Sequence, residues 1–65
     1  RDGSLLLTLG RLCRQQQLWG KARSYLEAAL AVTPSRAAHV ELAQLLEHLE
    51  ESALAARHYR AAAVL

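Results

Sequence analysis

The sequence has little of what several fold classes require. Among its 65 residues there is no Phe or Met, one Pro, one Cys and three Gly, and only 5% of the residues are aromatic. A single Cys cannot form an internal disulfide, which excludes a disulfide-stapled scaffold. The hydrophobic fraction of 52% comes mainly from Ala and Leu, which are strong helix formers. The composition therefore predicts an all-α fold.

Charge and hydropathy exclude two classes of partner. The net charge is +2, and neither half of the chain carries the dense basic stripe of a nucleic-acid binder. No apolar run approaches the roughly 18 residues of a membrane span, and there is no signal-peptide pattern. We expect no nucleic-acid partner and no membrane insertion by this segment. Because the sequence begins at Arg1 and contains no Met, we also expect it to be a segment of a longer protein.

An internal repeat of 33 residues organises the chain, and each unit carries the apolar periodicity of two amphipathic helices. The aligned pairs are Leu9 with Leu42, Gly10 with Ala43, Leu12 with Leu45, Cys13 with Leu46, Ala22 with Ala55, Leu26 with Tyr59 and Ala29 with Ala62. Short connections predict antiparallel helix hairpins. The predicted division is repeat 1 at 1–34 with helices near 4–16 and 20–32, and repeat 2 at 35–65 with helices near 36–48 and 52–64.

Local signals support these helix bounds. Pro34 disfavours helical geometry at the preceding residue, so the second helix should end near Thr33. Ser35 offers an N-cap hydroxyl to the third helix, and Asp2 or Ser4 could do the same for the first. A glycine in the middle of a helix costs about 1 kcal/mol relative to Ala. Gly10 therefore indicates a packing need rather than a local preference.

The small and large positions resemble the tetratricopeptide repeat, whose pattern runs W-x2-L-G-x2-Y, then A-x3-F, then A and P. The matching residues are Leu9, Gly10, Ala22, Ala29 and Pro34 in repeat 1, and Leu42, Ala55, Tyr59 and Ala62 in repeat 2. Most aromatic positions are replaced, and the unit is one residue shorter than usual. The resemblance implies a four-helix fragment of a right-handed α-solenoid that serves as a non-catalytic protein-binding scaffold.

A narrower likeness covers most of the chain. Residues 5–13, 18–28, 38–43 and 56–60 resemble the C-terminal repeats of bacterial HemY-type proteins. That resemblance implies a parent protein associated with heme or porphyrin metabolism. It also implies anchoring by upstream helices, with this segment on the cytoplasmic side of the inner membrane.

In the tetratricopeptide repeat family the first helix of each repeat lines a concave groove, and the resemblance carries this role over by position. The implied partner-binding residues are Leu7, Arg11, Arg14, Gln15, Val40, Gln44, Glu47 and His48, with Ser4 and Ala37 beside them. This mixture suits an extended or helical peptide segment. It lacks the Lys/Asn set of the carboxylate-clamp subfamily. Arg14 and Glu47 are equivalent one repeat apart, and we expect them to pair across the groove.

Chemistry-bearing spacings are missing. The three His and one Cys include no His-x3-His or Cys-x2-Cys spacing, so we predict no metal site, no cofactor and no catalytic residue. Glu47, Glu50 and Glu51, near the turn between the third and fourth helices, are interpreted as solvated charges. Trp19 is expected to pack against its own hairpin. Two alternatives to a binding scaffold stay open. The first is self-association, or capping of a longer array, through the apolar end at 61–65. The second is direct heme or porphyrin binding by one His.

Overall fold

The computed structural model describes residues 3–65, and these residues form four α-helices in two antiparallel hairpins. The helices are α1 Ser4–Gln15, α2 Trp19–Val32, α3 Arg36–His48 and α4 Ser52–Ala63. The all-α prediction is confirmed, and each observed bound differs from the predicted one by at most one residue. The division into repeats at 34 and 35 stays a prediction. Residues 1 and 2 of repeat 1, which include the proposed cap Asp2, lie outside the described part of the chain.

The two hairpin turns are built alike, 33 residues apart. Gln17 and Glu50 are both in the left-handed region, each with a φ of 63°. The Leu18 amide donates to the Cys13 carbonyl at 2.8 Å and the Gln17 amide donates to that of Arg14 at 2.9 Å. These two bonds form a Schellman motif, which satisfies carbonyls left over at the end of a helix. The second turn repeats the same pair of bonds, so both hairpins reverse direction by the same mechanism.

The junction between the hairpins depends on a side-chain cap. Thr33 and Ser35 are extended, with φ of −146° at both residues, and the Ser35 hydroxyl accepts a hydrogen bond from the Ala38 amide at 3.1 Å. This confirms Ser35 as the cap of α3. The N-cap of α1 is Gly3, which has no side chain to offer. Ser4 is the first residue of that helix, so its expected role as the cap was wrong.

The helices pack in two layers. α1 packs on α2, α3 packs on α4, and α3 also packs on α2 to join the hairpins. The molecule is 13 Å across its thinnest direction, as two layers of helices about 8–10 Å apart require. The predicted small residues of α2 and α4 are all buried, and they let neighbouring helices approach closely. These small residues are Ala22, Ala29, Ala55 and Ala62. Four Leu side chains fill the core around them: Leu26, Leu42, Leu45 and Leu46.

Two glycines mark the closest approaches. A Cβ atom at Gly10 would lie 2.6 Å from Cδ2 of Leu26, a side chain with no exposed surface. A Cβ atom at Gly3 would lie 2.9 Å from the carbonyl oxygen of Ala29. The position equivalent to Gly3 in the second hairpin is Arg36, whose Nε donates to the Ala62 carbonyl at 3.3 Å. The carbonyl oxygen at this position therefore packs against the Gly3 backbone in the first hairpin, and in the second it accepts a hydrogen bond from the Arg36 guanidinium.

Candidate protein-binding surface

The predicted groove residues of α1 and α3 meet around a carboxylate that sequence reasoning missed. Glu41 Oε2 accepts from Nε of Arg11 at 2.9 Å, and Glu41 Oε1 lies 3.0 Å from Nη2 of Arg14. The Glu41 side chain is only 15% exposed, whereas those of Arg11 and Arg14 are 46% and 30% exposed. Two cations therefore share one largely buried carboxylate. We call these three residues the Arg–Glu–Arg cluster.

The cluster changes the expected pairing of Arg14. Its Nη1 donates to Oε1 of Gln44 at 3.2 Å, which brings a third predicted groove residue to the cluster. Glu47 instead accepts from the Tyr59 hydroxyl of α4 at 2.8 Å. This hydrogen bond raises the pKa of Tyr59, with desolvation a smaller cause. The predicted pair between Arg14 and Glu47 was wrong, because Glu41 on the facing helix is the nearer carboxylate.

Apolar surface lies beside the cluster. Leu7 and Val40 are half-buried, one on each of the two helices. Leu7 also lines an open, mostly apolar cavity of about 210 Å³ together with Gly3, Ser4 and Ala38 among others. Ligand sites for small molecules generally span about 300–1,000 Å³. At about 210 Å³ this cavity is smaller than such sites.

The remaining predicted residues do not join the cluster. Gln15 is exposed at the last turn of α1. His48 is exposed at the end of α3, and its ring lies 4.2 Å from the Trp19 ring, centroid to centroid, with a tilt of 41°. Trp19 is half-buried and also packs against the core. It was expected to pack against its own hairpin, but its aromatic partner belongs to the second one.

The acidic residues near the second turn have separate roles. Glu51 accepts from Nη1 of Arg23 at 3.1 Å, and the same guanidinium donates through Nε to Glu27 at 3.2 Å. The hydrogen bond that Arg23 donates to Glu27 is the largest cause that raises the pKa of Arg23. Glu51 was interpreted as a solvated charge, whereas it ties α2 to the start of α4. Glu50 is exposed and adopts the left-handed turn conformation.

The hairpins differ at the face through which α3 docks on α2. Ala38 and Leu45 are 1% and 0% exposed because the first hairpin covers them. The equivalent residues of α1 are Leu5 and Leu12, which are 67% and 50% exposed. An exposed apolar stripe on α1, formed by Leu5 and Leu12, is therefore the counterpart of a buried helix face. Apolar side chains are also exposed at the opposite end of the molecule, where Val64 is 85% exposed.

A histidine pair is the second cluster that the sequence did not reveal. Nδ1 of His39 on α3 and Nδ1 of His58 on α4 are 3.0 Å apart, and both residues are half-buried. Burial is the largest cause that lowers the pKa of His58, followed by the charges of His39 and Arg57. Glu27 opposes this shift and Arg23 adds slightly to it. The two residues are 19 positions apart, so no spacing rule would have joined them.

Comparison with known proteins agrees with this architecture. A family model described as tetratricopeptide repeat matches residues 4–45, which is 42 of the 65 residues. A search of curated proteins and a search of solved structures each returned no match. Within residues 3–65, none of the helices has the length and apolar character needed to cross a membrane. The match spans α1, α2 and most of α3, so the chain belongs to the tetratricopeptide repeat family.

Proposed function

We propose that the chain is a non-catalytic protein-interaction scaffold that holds a partner segment against the surface of α1 and α3. Proteins of the tetratricopeptide repeat family are typically scaffolds without enzymatic activity, which supports this function class. The observation that carries the proposal is the Arg–Glu–Arg cluster. It has two guanidiniums for one carboxylate, and both guanidiniums keep exposed surface.

The excess positive charge selects the chemistry of the partner. Arg forms charge-assisted hydrogen bonds with carboxylates, and each such bond contributes about 1.5–3 kcal/mol. A partner segment that carries Asp or Glu would supply the second carboxylate that the cluster lacks. Leu7 and Val40 would contact an apolar side chain of the same segment, which the cavity beside Leu7 can receive. The proposed ligand is therefore an extended or helical peptide with one acidic and one apolar anchor.

A peptide-display selection on the whole chain, followed by affinity measurements on variants, tests the proposal. Arg11→Gln and Arg14→Gln should each weaken the selected peptides about tenfold, because a charged hydrogen bond is lost. Glu41→Gln should strengthen binding, because it frees both guanidiniums. Arg57→Gln is the matched control, since Arg57 is an exposed Arg of α4 outside the cluster. Equal binding by all four variants would refute a role for this surface.

A narrower version of the proposal concerns the parent protein. The likeness of residues 5–13 and 18–28 to HemY-type repeats supports a scaffold in a membrane-anchored protein of heme biosynthesis. Sequence likeness alone supports this version. It predicts that full-length parent captures proteins of heme metabolism, and that deletion of this segment removes them from the captured set. Capture that is unchanged by the deletion would contradict it.

Self-association is a second candidate function, and the exposed stripe at Leu5 and Leu12 favours it. In the second hairpin the same positions are buried against a neighbouring hairpin. The apolar end near Val64 of another copy could cover the stripe in a head-to-tail contact. Light scattering should then show a mass that rises with concentration, and Leu12→Gln should lower it. A monomer over a wide concentration range would exclude self-association.

A further inference from the structure

The pair formed by His39 and His58 lies outside the proposed peptide-binding surface. Both rings line a cavity of about 320 Å³ together with Leu54, Arg57 and Ala61. Their Nδ1 atoms are 3.0 Å apart, with the ring centroids separated by 5.2 Å. In repeat 1 the equivalent positions hold Leu6 and Tyr25, so the repeat fold does not need histidine at either place.

The separation of the two nitrogens matches that of two ligands on one metal ion. Zn–N bonds are about 2.0–2.1 Å long, so two nitrogens on one ion are about 2.9 Å apart at a right angle and about 3.3 Å apart at a tetrahedral angle. The observed 3.0 Å falls within this range. The ring torsion of His is broad, so both rings can turn toward a common ion while the helices stay in place. A bound ion would replace the hydrogen bond between the two nitrogens.

The charges around the pair act on a bound cation in both directions. The positive charges of Arg57 and Arg23 disfavour added positive charge at His58, whereas the negative charge of Glu27 favours it. Arg23 is itself paired with Glu27 and Glu51, whereas Arg57 forms no ion pair within residues 3–65. Arg57 is exposed, so solvent screens its repulsion.

We propose that His39 and His58 bind one late first-row divalent metal ion, such as Zn²⁺, through their Nδ1 atoms. Imidazole nitrogen suits this class of ion, whereas Mg²⁺ and Ca²⁺ prefer oxygen ligands. Among residues 3–65 no group of three or more His, Cys, Asp or Glu is placed to hold a metal, so the protein supplies two ligands. Water fills the remaining positions, and the ion exchanges readily. Binding joins α3 to α4 and stabilises the second hairpin by mass action.

Calorimetric titration of the whole chain with Zn²⁺ tests this proposal, with Mg²⁺ as the hard-ion control. We expect one ion per chain, with no heat from Mg²⁺. His39→Leu and His58→Tyr introduce the residues of repeat 1. Each should weaken Zn²⁺ binding by at least about tenfold, because loss of a group that only orients a metal ligand already lowers metal affinity about tenfold. His48→Ala and Cys13→Ser are matched controls and should bind as the wild type does. Arg57→Gln should bind more tightly.

A second measurement does not depend on the variants folding. Long-range ¹H–¹⁵N spectra of the wild-type side chains should show Zn²⁺ shifting the Nδ1 signals of two His residues and leaving the third unchanged. Binding should weaken as the pH falls, because the metal ion needs neutral imidazole ligands. The absence of Zn²⁺ heat, a shift confined to His48, or wild-type affinity in both His39→Leu and His58→Tyr would overturn the proposal.

Discussion

Gly10 and Leu26 meet where no room is left for one more methyl group, and this contact gives a sharp test of the packing argument. The added Cβ of Gly10→Ala would lie 2.6 and 2.7 Å from Cδ2 and Cγ of Leu26. Ala improves helix propensity by about 1 kcal/mol. Overpacking a filled core costs about 1–3 kcal/mol. Because Leu26 is fully buried and cannot move aside freely, we expect Gly10→Ala to destabilise the chain by about 0–2 kcal/mol.

A double-mutant cycle separates the two effects. Leu26→Ala removes the clashing atoms at a cost of about 2–5 kcal/mol. In that background, Gly10→Ala should stabilise the chain by about 1 kcal/mol, because only the propensity gain remains. The coupling energy between the sites should thus be about 1–3 kcal/mol. Ala43→Gly in the second hairpin, where Ala already fills the equivalent buried site, should simply destabilise.

Urea unfolding followed by circular dichroism measures all four corners of the cycle. A chain of this length has a total stability of only about 3–10 kcal/mol, so sucrose should be present in every sample to keep the Leu26→Ala variant folded. If Gly10→Ala stabilised both backgrounds by the same amount, the contact with Leu26 would carry no packing cost. The explanation of Gly10 as a close-approach residue would then be refuted.

Three further predictions concern the turns, the cap and acid stability. Gln17→Gly and Glu50→Gly should each raise the free energy of unfolding by about 0.5–1 kcal/mol. The strain that glycine relieves in the left-handed conformation is larger than the entropy that glycine adds to the unfolded chain. A loss of stability in urea titrations would contradict the turn geometry. Ser35→Ala should cost about 1 kcal/mol through loss of the cap of α3, and an unchanged urea midpoint would exclude that role. Because the pKa of His58 is lowered in the folded chain, the unfolded chain binds a proton first as the pH falls. The free energy of unfolding should therefore be highest above pH about 6.5 and fall toward pH 5 by at most about 1.4 kcal/mol per pH unit. His58→Tyr should flatten this pH dependence in urea titrations, and an equal slope in the variant would contradict the role of His58.

The fold followed closely from the sequence because its signals are local or periodic. Helix-forming composition, the 33-residue repeat and Pro34 followed by Ser35 each constrain a short stretch of chain. The mid-helix Gly10 pointed to a close contact because helix propensity alone would reject it. These signals gave the helix bounds to within one residue. They also identified the small residues that the structure buries.

The candidate surface was predicted only in part. Position in the repeat selected Arg11, Arg14 and Gln44, which do converge. It missed Glu41, because ion pairs between helices depend on rotamers and on the distance between two helix axes. For the same reason the Arg14 side chain met Glu41 rather than Glu47.

The sequence by itself determined which residues form helices, where the chain turns and which small residues recur, since each of these follows from neighbours along the chain. Only the tertiary structure decided which polar side chains meet. It brought together Glu41 with two arginines and His39 with His58, pairs that are 19 to 30 residues apart. Such pairs depend on the docking of whole helices, and docking is fixed by the sum of many apolar contacts rather than by any one spacing in the chain.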